Sequence, residues 1–167
     1  SATVEMAIKS PVDLFMLQLV VDVLRGAGYS EINLDVRYLM AARMDRAIDS
    51  LSPFTLSVVA RVLNSCGFSR IRLLDVHSEV ATRLIRNSEN VLPHKVVEQV
   101  YNTLGNRVIT ARPDKGADER VRSLSQSYVL PCNKVRDVST GKLSGFAVND
   151  YHPEAGDSTE VLILDDI

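Results

Sequence analysis

KSPVDLFMLQLVVDVLRGAGYSEINLDV, residues 9–36, and LSPFTLSVVARVLNSCGFSRIRLLDV, residues 51–76, show the same order of residue types. Each stretch begins near a Ser-Pro pair, continues as an amphipathic apolar run, reaches a glycine, and ends in a short Ile/Leu segment near an Asp. The apolar runs have the spacing of helices, and the Ile/Leu segments are typical of buried parallel strands. The two stretches therefore predict two successive helix–strand units, whether or not they arose as a repeat.

The ends of the two apolar runs carry residues that start and stop helices. A serine can accept a hydrogen bond from an unpaired amide at a helix N-terminus, and proline suits the first helical position. Glycine suits the left-handed residue that follows a helix. These positions are Ser10, Pro11 and Gly28 in the first stretch, and Ser52, Pro53 and Gly67 in the second.

The rest of the chain also alternates between helical and strand patterns. Helices are predicted in residues 81–87, 92–105 and 116–126, and strands in residues 107–113, 128–135, 145–150 and 161–166. This alternation predicts an α/β fold, with parallel sheets flanked by helices on both faces. The segment NTLGN, residues 102–106, is the predicted domain junction.

The composition limits the class of protein. The 167 residues are 46% hydrophobic and 24% charged, which is typical of a globular protein. The net charge of −2 argues against a general nucleic-acid surface, which needs many lysines and arginines. No apolar run is long enough to span a bilayer, so we expect no membrane partner. Cys66 and Cys132 lack metal-type spacing, which favours a reduced, intracellular protein.

Charged residues follow most of the predicted strands. In open α/β sheets, ligands bind at the carboxyl ends of the strands, so these residues are candidates for a site. Arginine and lysine bind phosphate oxygens, while carboxylates and histidine bind a divalent metal or sugar hydroxyls. The mixture predicts a site for a polyphosphate with a divalent metal. The candidates are Arg43, Asp45, Arg46, Asp75, His77, Arg112, Asp114, Lys115, Lys134, Arg136, Asp137, Asp165 and Asp166.

Several candidates also have a purely structural interpretation. The group formed by Arg43, Asp45 and Arg46 can be an ion-pair cluster on the surface. His77 can be a capping or core histidine, and Asp114 can cap the helix that follows it. These alternatives stay open at the level of sequence.

The last two pairs of candidates differ in strength. Lys134 and Arg136 alternate along a strand and can simply mark a solvent-exposed face. Asp165 and Asp166, called the acid pair below, give the strongest single signal. Two adjacent carboxylates repel each other unless they meet a cation or bind a sugar.

Six segments carry a resemblance to a known family. They are YLMAARMDR (38–46), SPFTLSVVARVLNSCGF (52–68), LLDVHS (73–78), ARPDKGADER (111–120), NKVRDVSTGK (133–142) and VLILDDI (161–167). In this order they resemble the ribose-phosphate pyrophosphokinases, also called phosphoribosyl pyrophosphate synthetases. That family usually reads PYxxYARQDR, DLHS or DPHS, SPDxG, KxR before a flexible hairpin, and DDxxDTGGT. The resemblance covers nearly the whole chain.

The resemblance implies two tandem domains of the phosphoribosyltransferase type. Residues 1–104 correspond to the N-terminal domain without its start, and residues 105–167 to the beginning of an incomplete C-terminal domain. We therefore expect a piece of a longer protein. A homo-oligomer in the cytoplasm is also implied.

The same resemblance implies a reaction in which the anomeric hydroxyl of ribose 5-phosphate attacks the β-phosphorus of ATP and releases AMP, with Mg²⁺ as cofactor. ATP would be held by Arg43, Asp45 and Arg46, and magnesium by Asp75, His77 and Asp114. His77, Lys134 and Arg136 would be catalytic, with the two cations stabilising charge in the transition state. The acid pair, Asp165 and Asp166, would bind the ribose hydroxyls.

Departures from the family pattern keep two alternatives open. Met44 stands where the family has a glutamine, and the glycine- and threonine-rich phosphate loop that follows the acid pair in the family is not part of this chain. These departures favour a non-catalytic homologue that binds nucleotide or regulates a synthetase. A phosphoribosyltransferase, which consumes the activated sugar, would share only the acid pair.

Overall fold

The computed structural model describes residues 1–105, 108–136, 143–148 and 160–166. The chain divides into two compact units, the first from Ser1 to Val91 and the second from Leu92 onward. The first unit contains β1 (Ala2–Ile8), α1 (Pro11–Gly26), β2 (Ile32–Leu39), α2 (Thr55–Ser65), β3 (Arg70–Leu74), α3 (Val80–Leu84) and β4 (Ser88–Val91). The second contains α4 (His94–Leu104), β5 (Val108–Arg112), a 3-10 helix (Lys115–Ala117), α5 (Asp118–Leu124), β6 (Val129–Arg136), β7 (Leu143–Val148) and β8 (Glu160–Ile163). The predicted α/β fold is confirmed.

The sheet of the first unit is parallel throughout, in the order β1-β2-β3-β4. Successive right-handed crossovers that all advance in one direction place their helices on one face of a sheet. Accordingly, Leu17 of α1 and Leu63 of α2 share one core with Leu34 of β2. Among the described residues of the first unit, the helices therefore pack on one face of this sheet, whereas the sequence predicts helices on both faces.

The opposite face of this sheet carries charged side chains. In β2, Leu34 and Val36 are buried, whereas Arg37 is exposed. Opposite charges face each other across neighbouring strands, which stabilises the pairing of the strands. The ion pairs are Arg37–Glu5 at 2.9 Å, Arg72–Asp35 at 2.5 Å and Arg70–Glu89 at 2.5 Å.

The two predicted helix starts differ. Ser10 caps α1 as predicted: its backbone N–H donates to Asp13 Oδ2 at 2.8 Å, and the Asp13 N–H donates to Ser10 Oγ. The prediction for the second helix is wrong, because α2 begins only at Thr55, after Phe54, with no side-chain cap. Ser52 instead donates its hydroxyl to Asp49 Oδ1 at 2.7 Å.

Both predicted glycine stops are confirmed, with positive φ at Gly28 (+87°) and Gly67 (+63°). The second stop is also a close approach. The Arg25 guanidinium donates to the carbonyl of Cys66, and a Cβ added at Gly67 would lie 2.9 Å from Arg25 Nη2. The end of α1 is thus anchored on the end of α2, and a side chain at position 67 would have to displace the Arg25 guanidinium from this contact.

In the second unit the strand order is β7-β6-β5-β8. β5 is parallel to β6 and β8, whereas β6 and β7 form an antiparallel pair. β5 is buried from Val108 to Ala111, as expected for a central strand. α5 packs on it through Val121 and Leu124.

Helix α4 belongs to the second unit. Its side chains Val97 and Tyr101 are buried in the same core as Val108, and the Tyr101 hydroxyl hydrogen-bonds to Thr110 of β5. The sequence placed the domain boundary after residue 104, whereas the compact units divide between Val91 and Leu92. Within the described ranges, no helix combines the length and the apolar character needed to cross a membrane.

Candidate functional site

The segment YLMAARMDR continues from the end of β2 and is fixed by its backbone at two points. The Met40 N–H donates to the carbonyl of Ile8 in β1 at 2.8 Å, and the Met44 carbonyl accepts from the Leu56 N–H at the start of α2 at 3.2 Å. Ala41 turns the chain with a φ of +62°. A non-glycine residue in this conformation costs roughly 1–2 kcal/mol, and such strain occurs often at functional sites.

The three charged residues that follow this turn differ in their exposure to solvent. Arg43 and Arg46 are exposed, whereas Asp45 is half-buried. Two exposed guanidinium groups beside a partly buried carboxylate can hold an anion while the carboxylate orients neighbouring polar groups.

The segment LLDVHS continues from β3, the strand next to β2. The Asp75 N–H donates to the carbonyl of Val91 at 3.0 Å, and the Val76 N–H donates to Asn90 Oδ1 at 3.1 Å, so β4 fixes the segment. Asp75 has a φ of +46°, the second positive value that follows a strand end in this unit. His77 is exposed, which rules out the core-histidine interpretation.

A side-chain hydrogen bond joins these two segments. The Ser78 hydroxyl donates to Asp45 Oδ2 at 2.8 Å, and both residues are partly buried. Because β2 and β3 are parallel neighbours, their carboxyl ends lie at the same edge of the sheet. The structure therefore brings Arg43, Asp45 and His77 to one edge of the first unit, as the strand-end argument predicts.

In the second unit, Asp114 follows β5 and is half-buried. Its Oδ1 accepts the N–H of Gly116 at 2.8 Å, and the residue caps the 3-10 helix. The capping interpretation of Asp114 is thus confirmed as a local contact. Nearby, Arg112 forms an ion pair with Asp118, and its buried Nε has no hydrogen-bond partner among the described atoms.

The acid pair follows β8, which is a parallel neighbour of β5. Asp165 is 40% exposed and Asp166 only 8%. The guanidinium of Arg120 in α5 is itself 8% exposed and lies 3.8 Å from Asp165 Oδ1 and 4.0 Å from Asp166 Oδ1. The cation that two adjacent carboxylates require is therefore supplied by the chain.

Arg120 is the residue that the sequence analysis missed. It follows Ala117 by three residues and precedes Leu124 by four, so it lies on the buried stripe of its helix. An arginine at a position with core spacing is rarely buried without a carboxylate partner. The core spacing of Arg120 could therefore have predicted a buried arginine with a carboxylate partner.

Lys134 and Arg136 lie on β6, and their backbones pair with Phe146 and Leu143 of β7. The predicted hairpin is thus present as an antiparallel strand pair. The side chains of Lys134 and Arg136, and residues 137–142, lie outside the described part of the chain. Asp137 falls in that range.

The candidates therefore form two clusters, one in each unit. The first contains the ends of β2 and β3, and the second contains the ends of β5 and β8. The convergence of both clusters on one triphosphate stays a prediction. Among the described residues, no three His, Cys, Asp or Glu side chains are grouped closely enough to hold a metal by themselves.

Comparisons with known proteins extend the resemblance. No family model matches the chain. The ribose-phosphate pyrophosphokinase of Thermococcus kodakarensis is 29% identical over 157 residues, which cover 90% of this chain and 53% of that protein. That of Pyrococcus furiosus is 28% identical over 120 residues, covering 70% and 42%. A putative ribose-phosphate pyrophosphokinase 2 from Streptococcus agalactiae is 26% identical over 165 residues, covering 93% and 48%.

A solved structure shows the same fold. Phosphoribosylpyrophosphate synthetase from Mycobacterium smegmatis aligns with a TM-score of 0.71 at 17% identity, covering 99% of this chain and 55% of that one. The chain spans about half the length of the curated relatives it matches. The resemblance predicted from the motifs is confirmed: the chain is similar in sequence to ribose-phosphate pyrophosphokinases and shares the fold of a phosphoribosylpyrophosphate synthetase.

Proposed function

We propose that the protein takes part in the transfer of pyrophosphate from ATP to ribose 5-phosphate, which gives phosphoribosyl pyrophosphate and AMP. The observation that carries the proposal is the hydrogen bond between Ser78 and Asp45. It joins the segments YLMAARMDR and LLDVHS, the two segments that a phosphoribosyltransferase would not need. The names of the relatives supply the reaction.

In the first unit, the proposed task is to hold ATP. Exposed Arg43 and Arg46 can each donate two parallel hydrogen bonds to phosphate oxygens, which gives orientation as well as charge. His77, on the adjacent loop, would contact the triphosphate. Backbone hydrogen bonds fix both loops, which supports the proposal that these groups are arranged before ATP arrives.

In the second unit, the proposed task is to hold the acceptor sugar. Asp165 is the more exposed member of the acid pair and would accept hydrogen bonds from ribose hydroxyls. Asp166 is nearly buried beside Arg120 and would support Asp165 in this contact. Lys134 and Arg136 would stabilise the negative charge that develops on the transferred group.

The donor set fits magnesium that arrives with the nucleotide. Magnesium is commonly bound through one or two carboxylates together with substrate phosphates and water, so no preformed protein cage is required. Asp75 and His77 in the first unit and Asp114 in the second are the proposed protein contacts. The ion would neutralise phosphate charge.

A cytoplasmic location is part of the proposal. The free thiols of Cys66 and Cys132 are compatible with a reducing compartment. Burial raises the pKa of the Cys66 thiol, which keeps it protonated and unreactive.

The alternative function is a non-catalytic homologue that binds nucleotide. Met44, which is 56% exposed on the ATP-binding segment, favours it, since the family has a hydrogen-bonding glutamine there. This homologue would bind ATP without turnover.

The test is AMP release by the full-length protein with ATP, Mg²⁺ and ribose 5-phosphate. AMP that appears only when ribose 5-phosphate is present supports the synthetase. ATP binding without AMP release supports the non-catalytic alternative, and absence of ATP binding contradicts both. A requirement for a nucleobase, with release of pyrophosphate, would identify a phosphoribosyltransferase instead.

A substitution tests the proposed cation. Lys134→Ala should lower the rate about 10²–10³-fold, the usual cost of one lost contact to transition-state charge. Lys95→Ala, an exposed lysine on α4, is the matched control and should leave the rate unchanged. Equal rates for both variants would remove Lys134 from the mechanism while leaving the reaction itself standing.

A further inference from the structure

The segment between β2 and α2 presents apolar side chains beside the proposed phosphate contacts. Met44 is 56% exposed, Ile48 89% and Leu51 95%, and the last two are the most exposed large apolar side chains of the described residues. These three are called the apolar loop residues below. Arg43 and Arg46 lie on the same segment and are also exposed. A short stretch of chain therefore combines cations with apolar surface.

The backbone of Met44 is already engaged within the fold. Its N–H donates to the carbonyl of Ala41 at 2.8 Å, and its carbonyl accepts from the Leu56 N–H at 3.2 Å. Position 44 therefore contacts a ligand mainly through its side chain. That side chain is a thioether, which packs on flat apolar surfaces and is only a weak hydrogen-bond acceptor. The glutamine that the family has at this position both donates and accepts hydrogen bonds.

The polar groups around Leu51 are also engaged within the loop. Asp49 Oδ1 accepts the Leu51 N–H at 2.9 Å and the Ser52 hydroxyl at 2.7 Å. The hydrogen bond from Ser52, together with that from the Leu51 amide, holds the pKa of the Asp49 carboxyl below its ordinary value. The carboxylate is thus ionised and serves the turn, while the side chain of Leu51 stays exposed.

This combination of residues matches the two chemical parts of a nucleoside triphosphate. Guanidinium groups bind phosphate oxygens. Every nucleobase has a flat apolar face that packs on side chains, so contacts to that face tolerate any base. Hydrogen bonds to the edge of a base, in contrast, distinguish one base from another. A segment with exposed arginines and exposed apolar side chains can therefore bind a nucleotide without identifying its base.

We propose that the apolar loop residues bind the face of the nucleobase, so that the protein accepts nucleoside triphosphates as a class and not ATP alone. This inference rests on the proposed function and names the class of its phosphate donor. A site that hydrogen-bonds a substrate group rejects analogues by roughly 10⁴–10⁵-fold, whereas an enclosed apolar pocket reaches only about 10²-fold. The apolar loop residues are exposed, so they should discriminate less than an enclosed pocket does.

Calorimetry on the full-length protein tests the proposal, with the Mg²⁺ complexes of ATP, GTP and inorganic tripolyphosphate as probes. The Kd values of ATP and GTP should agree within about tenfold, because no edge contact separates the two bases. Tripolyphosphate, which lacks a base, should bind more weakly than both. Because the readout is binding, the result does not depend on turnover.

The other outcomes of this experiment are distinct. A preference for ATP greater than about tenfold would overturn the inference and leave the proposed function standing. Equal affinity for tripolyphosphate and ATP would show that the base makes no contact, which also overturns it. Absence of binding by all three probes would contradict both the inference and the proposed function.

Substitutions assign the contact to the loop. Met44→Ala should weaken ATP and GTP binding by the same factor, roughly tenfold for one lost apolar contact. Met44→Gln introduces an amide and should increase the difference between the two affinities. Met16→Ala is the matched control, because Met16 is 50% exposed on α1, and it should leave both Kd values unchanged. Circular dichroism shows whether the variants fold. Equal Kd values for Met44→Ala and Met16→Ala would overturn the inference.

Discussion

The two units both place charged side chains after parallel strands, but they hold them in different ways. In the first unit, two loops are fixed by backbone contacts and joined by the hydrogen bond from Ser78 to Asp45, and Arg43 and Arg46 stay exposed. In the second unit, the nearly buried guanidinium of Arg120 lies 3.8 Å from Asp165 Oδ1 and 4.0 Å from Asp166 Oδ1. The cations of the first cluster are exposed to solvent, whereas the cation of the second is nearly buried beside two carboxylates.

This difference predicts that substitutions in the first cluster affect ligand binding, whereas substitutions in the second affect the stability of the fold. Removing an exposed cation from the first cluster should change ligand affinity with little effect on folding, because exposed charges contribute little to stability. Removing the cation from the second cluster leaves carboxylates close together without compensation. The same kind of residue should therefore have opposite consequences in the two units.

The largest effect is expected for Arg120→Met. It leaves the acid pair without its buried counter-charge and should lower the free energy of unfolding by about 3–5 kcal/mol, measured by urea denaturation. Arg122→Met is the matched control: it lies on the same helix, is 82% exposed, and should cost less than about 0.5 kcal/mol. Equal effects for the two variants would show that Arg120 does not stabilise the acid pair.

The two members of the acid pair sharpen the comparison. Asp166→Asn alters a carboxylate that is 8% exposed and should lower the free energy of unfolding by about 1–3 kcal/mol. Asp165→Asn, at 40% exposure, should cost less stability but raise the KM for ribose 5-phosphate. The readouts are urea denaturation and steady-state kinetics of AMP release. The interpretation fails if Asp165→Asn is the more destabilising of the two.

Local patterns in the sequence predicted much of the fold. The capping box at Ser10 and the glycine stops at Gly28 and Gly67 depend on residues within a few positions of one another, so they could be predicted. β1 could not: its alternating burial follows from pairing with β2, thirty residues away. The packing of the first unit's helices on one face of its sheet likewise follows from strand order, which no local pattern records.

Some features of the candidate site could likewise be predicted from the sequence, and others could not. The charged strand ends were visible in sequence, and parallel pairing brings Asp45 and His77 to one edge as expected. The contact between Arg120 and the acid pair could not be predicted from the sequence. Arg120 lies 45 residues before Asp165, on a helix whose position is set by packing in the core of the second unit. A residue type shows which interactions a side chain can make. Only the packed structure shows whether another residue of the chain already makes them.

The smallest effect is expected for the hydrogen bond that joins the loops of the first unit. Ser78→Ala removes the donor to Asp45 and should lower the free energy of unfolding by about 1 kcal/mol, the usual net value of one hydrogen bond. If the loops form the ATP-binding edge, the same variant should also weaken ATP binding, measured by calorimetry.

Ser65→Ala is the control for this prediction. Its hydroxyl donates to the Val62 carbonyl at the exposed end of α2, so its loss should change stability by a few tenths of a kcal/mol and leave ATP affinity unchanged. Because Ser78→Ala leaves every arginine in place, weaker ATP binding would show that the first cluster depends on loop geometry as well as charge. Unchanged ATP affinity in Ser78→Ala would mean that the exposed arginines bind the nucleotide without the hydrogen bond between the loops. The two units would then differ only in how their charges are exposed or paired.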